Sequence, residues 1–405
     1  MKELSSDTEK KKPSSECTIQ RFSAFRWKKN KRHKKLRMKS KRATESGERE
    51  EREDILSDLP DEVLQHIMEF LPTIQAIQTC VLSKRWKNLW RCLTTLTFEF
   101  FNGGIHKYNR YVNHVLSNRD DSISLHKMCL TVFNSTTPKV LNNAIKYASE
   151  HHIHELTLFM DIKFKQTPKS FIPLVINCKS LTLLVIYSNS SSLPLILPPS
   201  FAIPSLKTLF LYNVVFTARD DNSCAEPFSE CTSLIALHLE GSMLTHSTKT
   251  LCISNPSLYV LNMKNIIYWH FEPKTVLHVP KLQSITLEDN YFSTYYKLSC
   301  TCDLPLLTEV KISTRVYIDP SRILHWLRIF SNVRTLTICS HILNMLKDIC
   351  PDTLEIQPPR FARFESLKIK MHSGRMMSKT ELNMVVNYLW NCQTTNVKVT
   401  ECSKL

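Results

Sequence analysis

Glycine is scarce, at 5 of 405 residues. Loops that cradle phosphates need glycines, and neither Gly-x-Gly-x-x-Gly nor Gly-x-x-x-x-Gly-Lys occurs, so nucleotide chemistry is not expected. There is no run of about 18 uncharged apolar residues, the length a membrane helix requires. The first residues are polar and charged, unlike the apolar stretch of a signal peptide. The 14 cysteines include no Cys-x-x-Cys pair and read as small buried hydrophobes in a reducing compartment. Cys300 and Cys302 lack a histidine at ligand spacing. His151, His152 and His154 only precede an expected strand. Neither group is read as a metal site, and no cofactor is expected. Also missing are a nucleophile elbow, a His-Glu-x-x-His helix and paired carboxylates in a glycine-framed turn, so the chain reads as non-catalytic.

Charge is plentiful but uneven. The formal net charge is +16, and Arg26 to Arg42 holds eleven Lys or Arg and no acid. Such a block repels itself and stays unfolded. Three roles stay open for it: a nuclear-import signal, nonspecific contact with nucleic acid, or a solubilising tail. The chain divides into a polar basic tail (1–53), a compact helical segment (54–92), a repeating region (93–360) and a strand–helix–strand end (361–405). Nucleus and cytoplasm are the expected locations.

The helical segment is well punctuated. Leu59-Pro60-Asp61-Glu62 puts Pro at the first helical position, followed by acids that suit a helix N-terminus. Val63, Leu64, Ile67, Phe70 and Leu71 fall on one face, and Pro72 stops the helix. Thr73 is expected to cap a second helix with Ile74, Ile77 and Val81, and Ser83 a third, Lys84 to Trp90, with Trp86, Leu89 and Trp90 on one side. Three short helices in about 35 residues have more apolar surface than one small core can hold, which implies a partner.

Leu59-Pro60, the series Val63/Ile67/Phe70-Leu71-Pro72, and Val81-Leu82-Ser83-Lys84-Arg85-Trp86-Lys87-Asn88-Leu89-Trp90 resemble the plant-type F-box nearly residue for residue. Ile74-Gln75 departs from the Lys-acid pair usual there. The resemblance implies binding to a Skp-type adaptor and, through it, to a cullin. The residues that would carry it are Leu59, Pro60, Val63, Leu64, Ile67, Phe70, Leu71, Pro72, Val81, Ser83, Trp86, Leu89 and Trp90.

Beyond this segment the pattern Leu-x-x-Leu-x-Leu recurs eleven times, from Leu93/Leu96/Phe98 to Phe364/Leu367/Ile369. A period of about 24 to 32 residues points to a leucine-rich-repeat solenoid. Asn189 and Asn290 fit the template's asparagine, whereas Asn213 and Asn265 come one residue early, so an irregular solenoid is expected. Some returning segments have helical periodicity, around Tyr108–Leu116, Leu141–Ala148 and Ile323–Phe330. Ser378 and Glu381 form a capping box ahead of the stripe Leu382, Val385, Val386, Leu389. That end loosely resembles the close of plant F-box proteins with leucine-rich repeats, of the FBD kind, and would shut the open stack. The fold class is therefore α/β: a three-helix F-box followed by a curved parallel sheet with helical or irregular returns.

Residues between the anchors should line the concave face. There Phe159, Tyr187, Phe210 and Tyr212 would form a ring patch beside His238, Glu240 and Lys264, a candidate surface for an unknown protein substrate. The alternative is that a loop such as Ser188 to Ala202 folds over and buries it. Function then reads as the substrate-recognition subunit of a Skp–cullin–F-box ubiquitin ligase. A nucleic-acid-associated scaffold, or an F-box protein that degrades nothing, are the alternatives.

Overall fold

The computed structural model describes residues 55–401, except 101–103, 134–137, 162–170, 190–194, 219–222, 267–273, 290–295, 348–359, 372–377, 379, 382, 384, 386 and 388–395. The basic tail and the stripe residues Leu382, Val386 and Leu389 lie outside the described residues. Residues 56–405 cluster as one compact unit.

The unit begins with α1 (Ile55–Asp58), α2 (Asp61–Glu69) and α3 (Thr73–Gln78), a 3-10 turn at Thr79–Val81, α4 (Trp86–Leu89) and a second 3-10 turn at Trp90–Cys92. Pro60 stands just before α2, where its carbonyl accepts from Val63 and Leu64 and its missing N–H costs nothing. Asp61 and Glu62 occupy the first turn.

Two expected caps are different. Thr73 is already helical and buried, and its hydroxyl accepts from the Thr97 amide at 2.7 Å. It ties the helices to the first strand instead of capping its own helix. Ser83 is exposed and caps nothing, because the third helix starts only at Trp86, after Arg85. That start is held by Arg85, whose Nε meets Asp61 Oδ1 at 2.6 Å while its guanidinium also donates to the Leu59 carbonyl.

Among the described residues, the rest is built on one sheet of twelve strands, every neighbouring pair parallel. In order these are β1 (Thr95–Phe98), β2 (Lys127–Phe133), β3 (Glu155–Asp161), β4 (Leu183–Ser188), β6 (Thr208–Tyr212), β9 (Ala236–Glu240), β12 (Val260–Lys264), β14 (Ser284–Asp289), β16 (Glu309–Thr314), β17 (Thr335–Cys339), β18 (Ser366–Met371) and β19 (Asn396–Glu401). The last two anchors of each repeat point inward and are buried, and the residues between them alternate outward.

What returns the chain varies along the stack. Early and late repeats use helices: α5 (Ile105–Asn118), α6 (Pro138–Glu150) and α7 (Ile172–Ile176), then α8 (Pro320–Ile329) and α9 (Ser340–Lys347). The middle repeats return by short strands in two further parallel sheets. One orders β10 (Met243–Leu244), β7 (Val214–Phe216) and β5 (Leu195–Ile196). The other orders β15 (Lys297–Cys300), β13 (Lys274–His278), β11 (Thr250–Ser254) and β8 (Cys224–Ala225). This second sheet holds a departure from the expectation that every cysteine is free: Cys224 and Cys252 form a disulfide across β8 and β11. Both are outward-facing residues on adjacent rungs, which parallel stacking brings together though they lie 28 residues apart.

Turns out of the strands follow one device. Asn213, Gly241 and Asn265 all have positive φ, at 53°, 61° and 50°, and their amides donate to the carbonyls of Glu240, Lys264 and Glu288 on the next rung. A left-handed residue here costs least for Gly and Asn. The asparagines that looked one residue early thus occupy the ladder position itself. Gly241 is also constrained by space, since a Cβ there would press into the Asn213 side-chain amide.

At the far end the capping box is made: the Ser378 amide donates to Glu381 Oε2 at 2.9 Å, and the Glu381 amide to Ser378 Oγ at 3.2 Å. Lys347 reaches the same carboxylate. These hydrogen bonds hold the Glu381 carboxyl down at about 2.

Candidate functional sites

The first site is a helical face. The sequence pattern placed Val63, Leu64, Ile67, Phe70 and Leu71 together, but α2 divides them. Leu64 and Met68 turn into the core with Leu71 packed beside it, while Val63, Ile67 and Phe70 point to solvent. At 100° per residue these are two adjacent stripes of one helix. Phe70 is 77% exposed, and beyond α3 Val81 is 87% and Leu82 60% exposed. Leu56 is exposed as well. Leu56 and Leu82 were missed as site residues, since apolar pattern alone cannot tell an inner stripe from an outer one.

Among the other expected adaptor residues, Trp86, Leu89 and Trp90 are buried in the continuous core that runs into the repeats, with Leu59 packed against it. Pro60 and Ser83 are exposed, and Pro72 is half-buried. The buried members build the frame; the exposed ones are what a partner could touch.

The frame is joined firmly to the sheet. Besides Thr73, Glu69 Oε1 accepts from the Thr94 hydroxyl at 2.6 Å, and the Arg91 Nε donates to the Asn118 carbonyl at 2.6 Å. Arg119 lies buried beneath this joint. Its guanidinium donates to the carbonyls of Leu93, Ile123 and Ser124 at 2.9, 2.7 and 2.8 Å and to the Tyr147 hydroxyl at 3.1 Å. A buried guanidinium has to be surrounded by acceptors in this way.

The second site is the outward face of the large sheet. Register brings every expected row into line: Phe159 beside Tyr187, Tyr187 beside Tyr212, Val185 beside Phe210, and Phe210 beside His238. The rings touch in sequence. Centroids of Phe159 and Tyr187 are 6.0 Å apart, and those of Tyr187 and Tyr212 5.4 Å. Phe210 stacks on His238 at 4.1 Å with 12° between planes.

The patch is neither open nor covered throughout. Phe159, Tyr187 and Tyr212 are half-buried, whereas Phe210 is 5% exposed, held between its strand neighbours. In the loop expected to cover it, 190–194 lie outside the described residues, and β5 pairs with β7 in its own sheet.

Electrostatics here follow from that packing. His238 Nδ1 accepts from Asn262 Nδ2 at 2.8 Å, which leaves the neutral ring's proton on Nε2. Burial and the nearby Lys264 charge lower the imidazole to about 4, so it is neutral at ordinary pH. Burial raises the Glu240 carboxyl, with Lys264 opposing and Glu288 adding. Tyr212 is pushed up to about 12 by burial and then by Glu240. Lys264 reaches Glu288 at 3.7 Å. The centre of the face thus offers a fixed imidazole N–H, a desolvated carboxylate and a lysine beside aromatic surface.

The sets first considered for metal are occupied otherwise. His151 bonds to the Tyr147 carbonyl and faces Asp121, and His154 lies against His126. Cys300 and Cys302 are 3.9 Å apart at sulfur, and burial pushes the Cys300 thiol up to about 11. Among the described residues no three His, Cys, Asp or Glu are arranged to hold a metal ion.

Comparison with known proteins places a family match on the helical segment. The F-box domain family matches residues 56–95. An FBD-associated F-box protein of Arabidopsis thaliana is 29% identical over 297 residues, covering 71% of this chain and 67% of that protein. A putative F-box/FBD/LRR-repeat protein of the same plant is 28% identical, covering 58% and 53% respectively. An F-box/LRR-repeat protein, also of Arabidopsis thaliana, is 30% identical over 219 residues, covering 52% and 58%. The chain spans from 52% to 67% of the length of the first four such relatives. An F-box domain thus occupies residues 56–95. With its repeating parallel sheet, the chain is similar to plant proteins that join an F-box to leucine-rich repeats.

Proposed function

We propose that this chain is the substrate-recognition subunit of a Skp–cullin–F-box ubiquitin ligase, with the helical face seating the adaptor and the sheet's outward face holding a protein substrate. F-box proteins generally serve as non-catalytic adaptor subunits, and a receptor of this sort needs no catalytic group. It works by keeping a substrate close to a ubiquitin-loaded partner, which raises effective concentration. The observation that carries the reading is the number of exposed apolar side chains, Leu56, Val63, Ile67, Phe70, Val81 and Leu82, on the segment that matches the F-box. Large apolar side chains left in water within so short a segment mark a docking surface. The substrate face is proposed as Phe159, Tyr187, Tyr212, His238, Glu240 and Lys264, with the buried ring of Phe210 supporting His238 from beneath, and the basic tail as a nuclear-import signal that leaves the protein in both nucleus and cytoplasm.

Co-purification with a Skp-type adaptor tests the first half. Phe70→Ser with Val81→Ser removes two exposed anchors, each contributing about 1–2 kcal/mol if covered on docking. Affinity should fall by roughly 30-fold or more with the melting temperature unchanged. Full adaptor binding by that folded variant refutes the assignment of the face.

A further inference from the structure

Resting on the receptor reading above, we propose that the far end of the outward sheet face seats an acidic peptide segment of Asp and Glu side chains. Apolar residues of the same peptide would lie on the ring patch.

The face changes character along the stack. The rings occupy β3 to β6. Across β12 to β18 the outward positions carry Lys264, Lys311, Lys368 and Lys370 against only Glu288 and Glu309. Lys311, Thr337 and Lys368 stand in register on β16, β17 and β18, and Lys398 holds the next register position on β19. Between the two lysines, the Thr337 hydroxyl is enclosed and has no hydrogen-bond partner among the described residues. A carboxylate arriving between Lys311 and Lys368 would give it an acceptor.

The protein's own acids show the chemistry these lysines take. Glu288 is shared by Lys264 at 3.7 Å and Lys370 at 3.8 Å, and Glu309 lies 3.1 Å from Lys311. Counting Glu240 in register with Lys264 as well, three carboxylates among four lysines still leave cationic charge uncompensated, so a further carboxylate is attracted. The interleaved Glu240, Glu288 and Glu309 argue against a nucleic-acid strand, whose evenly spaced phosphates would meet them as well. A peptide can place its acids selectively.

Spacing follows from the topology. From Tyr212 on β6 to Lys370 on β18 the order crosses six strand intervals. At about 4.8 Å each this is roughly 29 Å, and an extended peptide covers about 3.3 Å per residue. The apolar anchor and the acidic cluster of the partner should therefore lie about eight or nine residues apart.

A phage library of random 16-residue peptides, panned on the full chain and on Lys311→Glu/Lys368→Glu, tests this. Wild type should enrich peptides with an aromatic or aliphatic residue about eight or nine positions from clustered Asp or Glu. A fluorescein-labelled consensus peptide should bind the variant about tenfold more weakly. The basic tail is common to both proteins, so its pull on acidic peptides cancels in the comparison. Thermal melting checks folding, and Lys311→Gln/Lys368→Gln replaces the charge reversal if that variant unfolds. The inference is overturned if no acidic spacing emerges, if both proteins select alike, or if a labelled RNA oligomer rather than the peptide loses binding in the variant. Adaptor co-purification, measured alongside, should be equal in both proteins. Its absence from wild type would sink the receptor reading while the peptide result still decides this one.

Discussion

Acidification should loosen the centre of the sheet through one side chain. His238 is stacked on Phe210, accepts from Asn262 and faces Lys264, so taking up a proton means placing a second cation in a desolvated spot. Its folded value is lowered from 6.5 to about 4. The unfolded chain therefore binds the proton first as pH falls, and stability drains away between about pH 6.5 and pH 4, being fully present above that window. With about 1.4 kcal/mol per pKa unit, the loss at pH 4.5 relative to pH 7.5 is on the order of 2–3 kcal/mol. Glu240 works in the opposite sense, because its raised carboxyl holds a proton more readily in the folded state. Urea melts of wild type and His238→Gln at the two pH values isolate the histidine, since other titrating groups are present in both proteins. Wild type should lose about 2–3 kcal/mol more than the variant. Equal losses would mean that the imidazole is not held neutral by its surroundings, and the account of the site's electrostatics would fail.

Other consequences can be measured separately. Phe210→Ala should lower stability by about 3 kcal/mol, because a closely packed ring is lost, whereas Tyr212→Ala, at a half-open position, should cost well under half of that; comparable thermal shifts for the two would contradict the packing. Arg119→Met strands the carbonyls of Leu93, Ile123 and Ser124 and should cost about 3 kcal/mol or more in a denaturant melt; a neutral outcome would show that water replaces the guanidinium. Deleting residues 1–50 should leave the melting temperature nearly unchanged and shift a fluorescent fusion toward the cytoplasm; an unmoved fusion would leave the tail as a solubiliser.

The repeats were legible because their signal is redundant. One pattern of inward anchors repeated in eleven copies sets strand, facing and neighbour together, and so the outward residues from Phe159 and Tyr187 through Phe210 and Tyr212 to His238, Glu240 and Lys264 fell into register as expected. Features decided by context were not legible. Thr73 has a capping residue's chemistry, yet its hydroxyl is engaged by Thr97 from another element. Val63 and Leu64 are equally apolar neighbours, and only tertiary packing sends one outward and one inward. The Cys224–Cys252 pairing depends on which returning segments stack as strands, and short β8 has almost no periodicity to announce it.

The Thr73–Thr97 hydrogen bond has a mechanical consequence. It satisfies an amide on β1, the edge of the twelve-stranded sheet, so the F-box does for that edge what a terminal repeat does for an ordinary solenoid. Core side chains run without a break from Leu64 through Trp90 into Leu93 and Leu96. In the receptor reading, the part that grips the ligase and the part that grips the cargo then share one foundation, a joint without a hinge. A cargo would be presented at a set reach and bearing, and which of its lysines come within range would depend on where along the sheet it is held. Cutting the F-box away would not liberate a substrate-binding module; it would bare the sheet's first edge, and the repeats would be expected to aggregate through it.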